Sequence, residues 1–280
     1  VPLRDVGRSR VLEATDAATA RDLAIAADRA TTRALGIRWA NFGTATAVAA
    51  SHVDVLAYNR VVGLGLDAPA QSDLLDRIVD WYRSARVPRF FVQLSPYAAP
   101  PDLADRLAAR GLAHYNNWVK LWRSTRAIPA VRCPFPIVEA EPEHAPAFGA
   151  LVARSYGLPG AVAGWLAQLV GRPRWHHFLA LHHGAIVATG SLFEAEDAGW
   201  LGFAATDRAY RGRGAQSALI VRRMQAAKAL GLRTLVVETA EDTPERRAPS
   251  FHNLRRLGFE LAYLRPNYIW IAPPPDRPAA

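Results

Sequence analysis

Two stretches of this chain read in the same order at the same spacing, and this self-similarity restricts the fold more than any single motif. Residues 71–95 and 216–240 are each 25 residues long, each opens with Gln-Ser, and each passes from a helix-like segment into an apolar strand. Leu75 aligns with Ile220, Val79 with Met224, Phe90 with Leu235 and Val92 with Val237. Leu75, Ile78, Val79 and Tyr82 fall on one helical stripe, as do Ile220, Met224 and Ala227 in the second copy. Both copies continue to a short helix closed by a glycine and an apolar residue, Gly111-Leu112 and Gly258-Phe259, where glycine can supply a left-handed cap. Both finish in an aromatic-rich strand, 115–122 and 263–270. A unit of this size present twice predicts a duplicated α/β fold rather than a solenoid, whose repeats run ~20–50 residues.

The copies differ at one place. Three residues separate Asp67 from Gln71, but eight separate Asp207 from Gln216. The additional residues form a basic, glycine-rich loop, Arg211-Gly212-Arg213-Gly214-Ala215-Gln216-Ser217, between the strand-like run 200–206 and the helix-like run 217–230. Strand, glycine loop and helix present backbone N–H groups and a positive helix end to a phosphate. No lysine follows Gly214, which argues against a nucleoside triphosphate P-loop. The sixth position is not glycine and the loop lies late in the chain, which argues against a dinucleotide fingerprint.

The loop resembles the acyl-CoA-binding motif of the GNAT family of N-acetyltransferases, Gln/Arg-x-x-Gly-x-Gly/Ala. Arg211, Gly214 and Gln216 hold its first, fourth and sixth positions, Gln216 standing where the pattern has a small residue. The following order also resembles that family: long helix, β-branched strand 233–239, short helix with Asn253, Gly258-Phe259 and a closing strand. The resemblance covers about 137 to 270 and implies an α/β fold with a mixed sheet, in two tandem copies. The expected domains are a degenerate copy over 12–124, stripped of the acyl-CoA loop, and an acyl-CoA-binding copy over 137–272, with a proline-bearing seam at 124–136. Residues 1–11 and 273–280 read as mobile ends.

What the resemblance implies chemically is transfer of an acetyl or other acyl group from CoA, as cosubstrate, to a primary amine of a small molecule. Ala204, Ala205 and Thr206 would polarise the thioester carbonyl through backbone N–H groups. Arg211 through Ser217, with Asn253, would hold the cofactor. Glu238 interrupts an apolar strand on the same side as Val236 and is one candidate base; Glu194 is another, and a water chain a third. Many family members carry a tyrosine where this chain has Leu254, so Tyr268 is the candidate acid, with His252 and unassisted thiolate departure as alternatives. Arg222 and Arg223 read as solvated helix arginines rather than ribose-phosphate ligands. Trp39, Asn41, Phe42 and His52 read as acceptor-pocket lining or as core, and 161–170 as an acceptor-site helix. A CoA-binding sensor or interaction module without turnover is the alternative function.

Composition narrows the partners. Half of the residues are apolar and none of the apolar runs reaches the ~18–20 residues of a membrane span. Cys133 is the single cysteine, so no internal disulfide can form, and a cytoplasmic location is expected. The net charge of +9 comes almost wholly from scattered arginines without an aromatic-basic stripe, which disfavours nucleic acid. His176-His177 and His182-His183 lack metal-ligand spacing, so no metal is expected. A homodimer remains open.

Overall fold

The computed structural model describes residues 3–273. The first half contains α1 (Leu3–Ile25), α2 (Arg29–Leu35), β1 (Ile37–Phe42), β2 (Ala45–Ala50), β3 (Arg60–Val62), α3 (Ser72–Ser84), β4 (Arg89–Gln93), α4 (Leu103–Ala108) and β5 (Ala113–Ser124). The second contains β6 (Ile137–Glu139), α5 (Ala145–Tyr156), α6 (Gly160–Ala167), β7 (Trp175–His182), β8 (Ala185–Ala195), β9 (Ala198–Thr206), α7 (Ala215–Ala229), β10 (Thr234–Ala240), α8 (Pro249–Arg256) and β11 (Glu260–Ile271). From the helix pair onward the order repeats. The stripe Leu75, Ile78, Val79 and Tyr82 is the buried face of α3, and Gly111 and Gly258 follow α4 and α8 at φ +79° and +81°. No helix among the described residues is long and apolar enough to cross a membrane.

All eleven strands form one sheet, in the order β1-β2-β3-β4-β11-β5-β10-β9-β8-β7-β6. The closing strands are exchanged. β5, which ends the first half, pairs antiparallel with β10 of the second, placing Lys120 opposite Glu238 and Trp118 opposite Ala240. β11, which ends the second half, pairs antiparallel with β4 of the first, placing Tyr268 opposite Val92. β5 and β11 pair with each other at the centre. The halves are therefore joined through backbone ladders as well as the connecting chain. That connection is itself packed: Phe135 is buried, Ile128, Val131 and Cys133 lie on the α7 core, and the Thr125 hydroxyl donates to the Leu232 carbonyl at 2.7 Å.

The amino-terminal residues differ from the sequence expectation. Helix α1 starts at Leu3, and within the stretch expected to be mobile Ser9 is fully buried. The tail 274–280 lies outside the described residues. The inner face of α1 mixes polar groups (Ser9, Glu13, Thr15, Asp16, Thr19) with Leu12, Leu23 and alanines, so no clean apolar period announces it. These groups meet charges from the exchanged strands. Glu13 accepts from Tyr263 at 2.8 Å and Arg265 at 3.0 Å, and Asp16 accepts from Arg265 at 2.8 Å and from Lys120. Glu238 completes the cluster, paired with Arg60 at 2.7 Å, with Lys120 at 3.2 Å and with Arg265. Gln93 accepts from Arg60 and Arg265 and donates to Asn267 at 2.8 Å, so uncharged amides fill the remaining space.

Removing one member of a buried ion network leaves its partners charged and dry, which costs about 3–5 kcal/mol. Arg265→Met is expected to lower unfolding free energy by that order in urea denaturation. Arg83→Met, which breaks the exposed pair with Asp80, should change it by less than about 1 kcal/mol.

Candidate active site

β9 and β10 run parallel and hydrogen-bonded from Ala198/Thr234 to Leu201/Val237, and then part. A bulge sets in on the other edge of β9. Ser191 of β8 faces Gly202 and Thr189 faces Ala205, so Phe203 and Ala204 together oppose Gly190, and Phe203 takes φ +46°. Such a bulge increases local twist and redirects the strand. Side chains cap the carbonyls of the widened end in turn. Arg223 donates to Gly202 at 3.5 Å, Thr189 to Phe203 at 2.9 Å, Tyr156 to Ala204 at 3.0 Å, Gln216 to Ala205 at 2.8 Å and Arg211 to Thr206 at 3.3 Å.

The glycine loop follows β9 directly. Gly212 and Gly214 adopt φ +76° and +83°, the left-handed region that a side chain resists, and α7 begins at Ala215. A helix start there leaves the N–H groups of Ala215, Gln216 and Ser217 without intrahelical acceptors, under the positive end of the helix dipole. Gln216 does not obstruct the loop: its amide turns inward to the Thr189 and Ala205 carbonyls and the Thr206 hydroxyl. Ser217 donates to Asn253 at 2.9 Å, which ties the start of α7 to α8. Arg211 and Arg213 are exposed beside the loop, Arg213 lying 5.4 Å from the Tyr210 ring centre.

The candidate catalytic residues are scattered. Glu238 is the first residue of β10 beyond the paired stretch, so it stands at the mouth of the gap. Burial works to raise its pKa, but Arg265, Lys120 and Arg60 outweigh this and hold the carboxyl well below the usual carboxylate range. A carboxylate so held is a poor proton acceptor. Glu194 pairs with Gly199 near the opposite end of β9 and accepts from His176 at 2.6 Å. Tyr268 packs on the first-half core, because that part of β11 belongs to the β4 ladder. His252 pairs with Asp242 at 2.9 Å. The 161–170 segment supplies Trp165, Leu166 and Leu169 to the shared core, with the Trp165 indole donating to the Leu23 carbonyl. In the first half, Asn41 accepts from Thr46, Phe42 packs on Trp81 and His52 contacts the Ala34 carbonyl.

Arg223 corrects the reading of a solvated arginine. It is 2% exposed and bonds the carbonyls of Leu219 and Ser191 at 3.0 and 3.2 Å. Its guanidinium fills the space a side chain at Gly190 would need, 2.8 Å from an ideal Cβ. Burial pulls its pKa down to about 10, and among the described residues no carboxylate pairs with it. Lys120 and Arg265 were also missed, although a signal existed. They are 145 residues apart, the offset that relates Gln71 to Gln216.

The first half has a corresponding gap after Arg60/Phe91 and Val61/Val92 of β3 and β4, but its own chain fills it. The Ala99 N–H donates to Gly65 at 2.7 Å and the Ala70 N–H to Ala99 at 2.9 Å. A Cβ at Gly65 would come within 2.5 Å of the Ala99 oxygen.

Residues 141–259 match the sequence profile of the acetyltransferase (GNAT) family. Residues 141–259 form a GNAT domain. The fold as a whole is similar to a GCN5-related N-acetyltransferase from Kribbella flavida, at 17% identity and a TM-score of 0.60, covering 86% of this chain and 93% of that one. It is similar to a tandem GNAT protein from the clavulanic acid biosynthesis pathway, at 20% identity and a TM-score of 0.57, covering 78% and 76%. A GCN5-related N-acetyltransferase from Sphaerobacter thermophilus gives 16% identity and a TM-score of 0.58, over 81% and 80%. No curated protein matches the chain in sequence. The α/β mixed sheet is thus the GNAT fold, with a tandem GNAT protein among its structural neighbours.

Two measurements test this local account. Gln216→Ala strips donors from the Thr189 and Ala205 carbonyls and should cost about 1–3 kcal/mol in stability, read by denaturant unfolding. Glu238 has a folded pKa below its unfolded value, so its stabilisation is present above a pH of about 4.5 and is lost as the pH falls towards the folded value. Glu238→Gln should therefore be less stable than wild type at pH 7 and lose less stability between pH 5 and pH 3.

Proposed function

We propose that this protein is an N-acetyltransferase that moves the acetyl group of acetyl-CoA to a primary amine of a small molecule, at the gap between β9 and β10. The observation that carries the reading is the free N–H fan of Ala215, Gln216 and Ser217 directly beside that gap, in a domain of a family of acetyltransferases. In this reading the CoA pyrophosphate lies on the loop from Arg211 to Ser217, with Asn253 fixing Ser217 from the neighbouring helix. Backbone N–H groups of Ala204 and Thr206 polarise the thioester carbonyl, while Ala205, in the β8 ladder opposite Thr189, holds the strand in place. Capping of the neighbouring carbonyls supports this polarity, because it leaves donors rather than acceptors along the widened strand.

The first half contributes scaffold and a wall of the acceptor site. Its β5 borders β10 where the gap opens, and Asn117 donates to Glu241 there at 3.0 Å. Self-filling of its own gap by the segment around Ala99 supports a single CoA site. Glu238 has the role of a fixed anion joining the halves, and the amine proton departs to water. Glu194 and Tyr268 have no chemical step assigned to them.

Calorimetric titration with acetyl-CoA should give one site per chain, weakened at least tenfold in Gly214→Trp, where a bulky residue would have to adopt φ +83° inside the loop. Two sites would show that the first half also binds. Mass-spectrometric screening of small amines with acetyl-CoA should then find one that gains an acetyl group. Tight acetyl-CoA binding with no acetylated amine would count for the sensor reading instead.

A further inference from the structure

Helix α7 packs on the sheet face that carries Leu201 and Val237, so a cofactor held at its start enters the gap from that face and leaves the other to the acceptor. Adjacent residues on a strand face opposite ways. Trp200 packs in the core shared by α1 and α5, and Glu238 bonds Lys120, whose other partner is Asp16 of α1. The acceptor face is therefore the face of α1 and α5.

The first half lays aromatic rings along it. Trp118 lies two residues before Lys120 in β5, opposite Ala240, and so shares that face. The Arg60 guanidinium that binds Glu238 lies 5.9 Å from the Trp118 ring centre. Phe91 of β4 links Trp118 to Tyr115, at ring-centre distances of 6.4 and 5.5 Å. Phe91 is buried, Trp118 half-buried and Tyr115 exposed, so the array has a packed base and an open top. Tyr156 stands on the far side of the gap, more than half exposed, with its hydroxyl on the Ala204 carbonyl.

Charge narrows the occupant further. Carboxylates around the mouth are already engaged: Glu238 by three cations, Glu241 by the Asn117 amide, Asp242 by His252 and Arg247, and Asp207 by Arg154. A polyamine would find no free counter-charge there, whereas a flat ring stacks on rings. Apolar surroundings also disfavour an ammonium and leave more of the free base that must attack. Neighbouring strands lie ~4.8 Å apart, so a nitrogen in the gap reaches a ring seated on Trp118 through about two carbons.

We propose that the acceptor is a primary amine of the 2-arylethylamine type, its aromatic ring seated on Trp118 and Tyr115 and its nitrogen in the gap; this rests on the transferase reading above. The nitrogen attacks the thioester carbon, and the C–N bond forms as the C–S bond breaks. Sulfur leaves with the electron pair. Water takes the proton that nitrogen sheds and returns one to sulfur.

The test is the ratio of kcat/KM for 2-phenylethylamine to that for 2-cyclohexylethylamine, with saturating acetyl-CoA. The ratio does not depend on how much enzyme is folded, and the different basicity of the two amines cancels between variants. Wild type should favour the aromatic amine, and Trp118→Ala should lower the ratio about fivefold, the scale of aromatic pairing, while Trp118→Phe keeps it within twofold. Spermidine should be at least tenfold poorer than 2-phenylethylamine. A wild type that prefers the cyclohexyl amine or spermidine, or a ratio that Trp118→Ala leaves within twofold, overturns the aromatic acceptor and leaves the transferase reading intact. A wild type that binds acetyl-CoA and acetylates no amine overturns both.

Discussion

The structure depends on an ion cluster buried where two exchanged strands meet. Glu13, Asp16 and Glu238 face Arg60, Lys120 and Arg265, so carboxylates and cations balance in number. No pair among them is self-sufficient: Arg265 contacts all three carboxylates. Desolvating six charges is repaid only when every partner is in place, so the cluster forms as a unit or not at all. Its members come from α1, β3, β5, β10 and β11, and one arrangement of the halves satisfies them. The β5–β10 and β11–β4 ladders set the register between the halves, and the charges meet only in that register.

That register decides what supports the gap between β9 and β10. β5 pairs with the edge of β10 away from β9, so Lys120 and Trp118 of the first half hold the segment of β10 that has left β9. A half that has filled its own gap therefore still braces its partner's. Glu238 has correspondingly exchanged one role for another: the position that could have carried a mobile proton carries a link between halves.

The repeat, the succession of elements from α7 to β11 and the glycine loop were legible because they rest on local rules, namely helical period, cap glycines and loop composition. Strand exchange was not, since β5 and β11 present the same alternation whichever half they join. Helix α1 escaped notice because Glu13, Asp16 and three hydroxyl side chains interrupt the apolar residues of its buried face, which blurs the apolar period. Glu238 was placed correctly on its strand but not among its partners, which lie 178, 118 and 27 residues away. Arg223 looked like surface because an arginine without a nearby acid in sequence normally is. What buries it is Gly190, whose missing side chain makes the room.

The two halves show how little sequence separates a binding gap from a filled one. Both have parallel strands that part, and both have glycines at positive φ just beyond: Gly63 and Gly65 in one, Gly212 and Gly214 in the other. In the second half the loop is long enough to pass outside the gap and start a helix aimed at it. In the first, five fewer residues draw the chain directly into α3, and the gap is taken by the segment hydrogen-bonded through Ala99. The Ala70 N–H, at the position of Ala215, is satisfied internally there by the Ala99 carbonyl, and a buried N–H so paired has nothing to offer a phosphate. Loop length, rather than the loss of any one residue, is thus the physical difference between the halves.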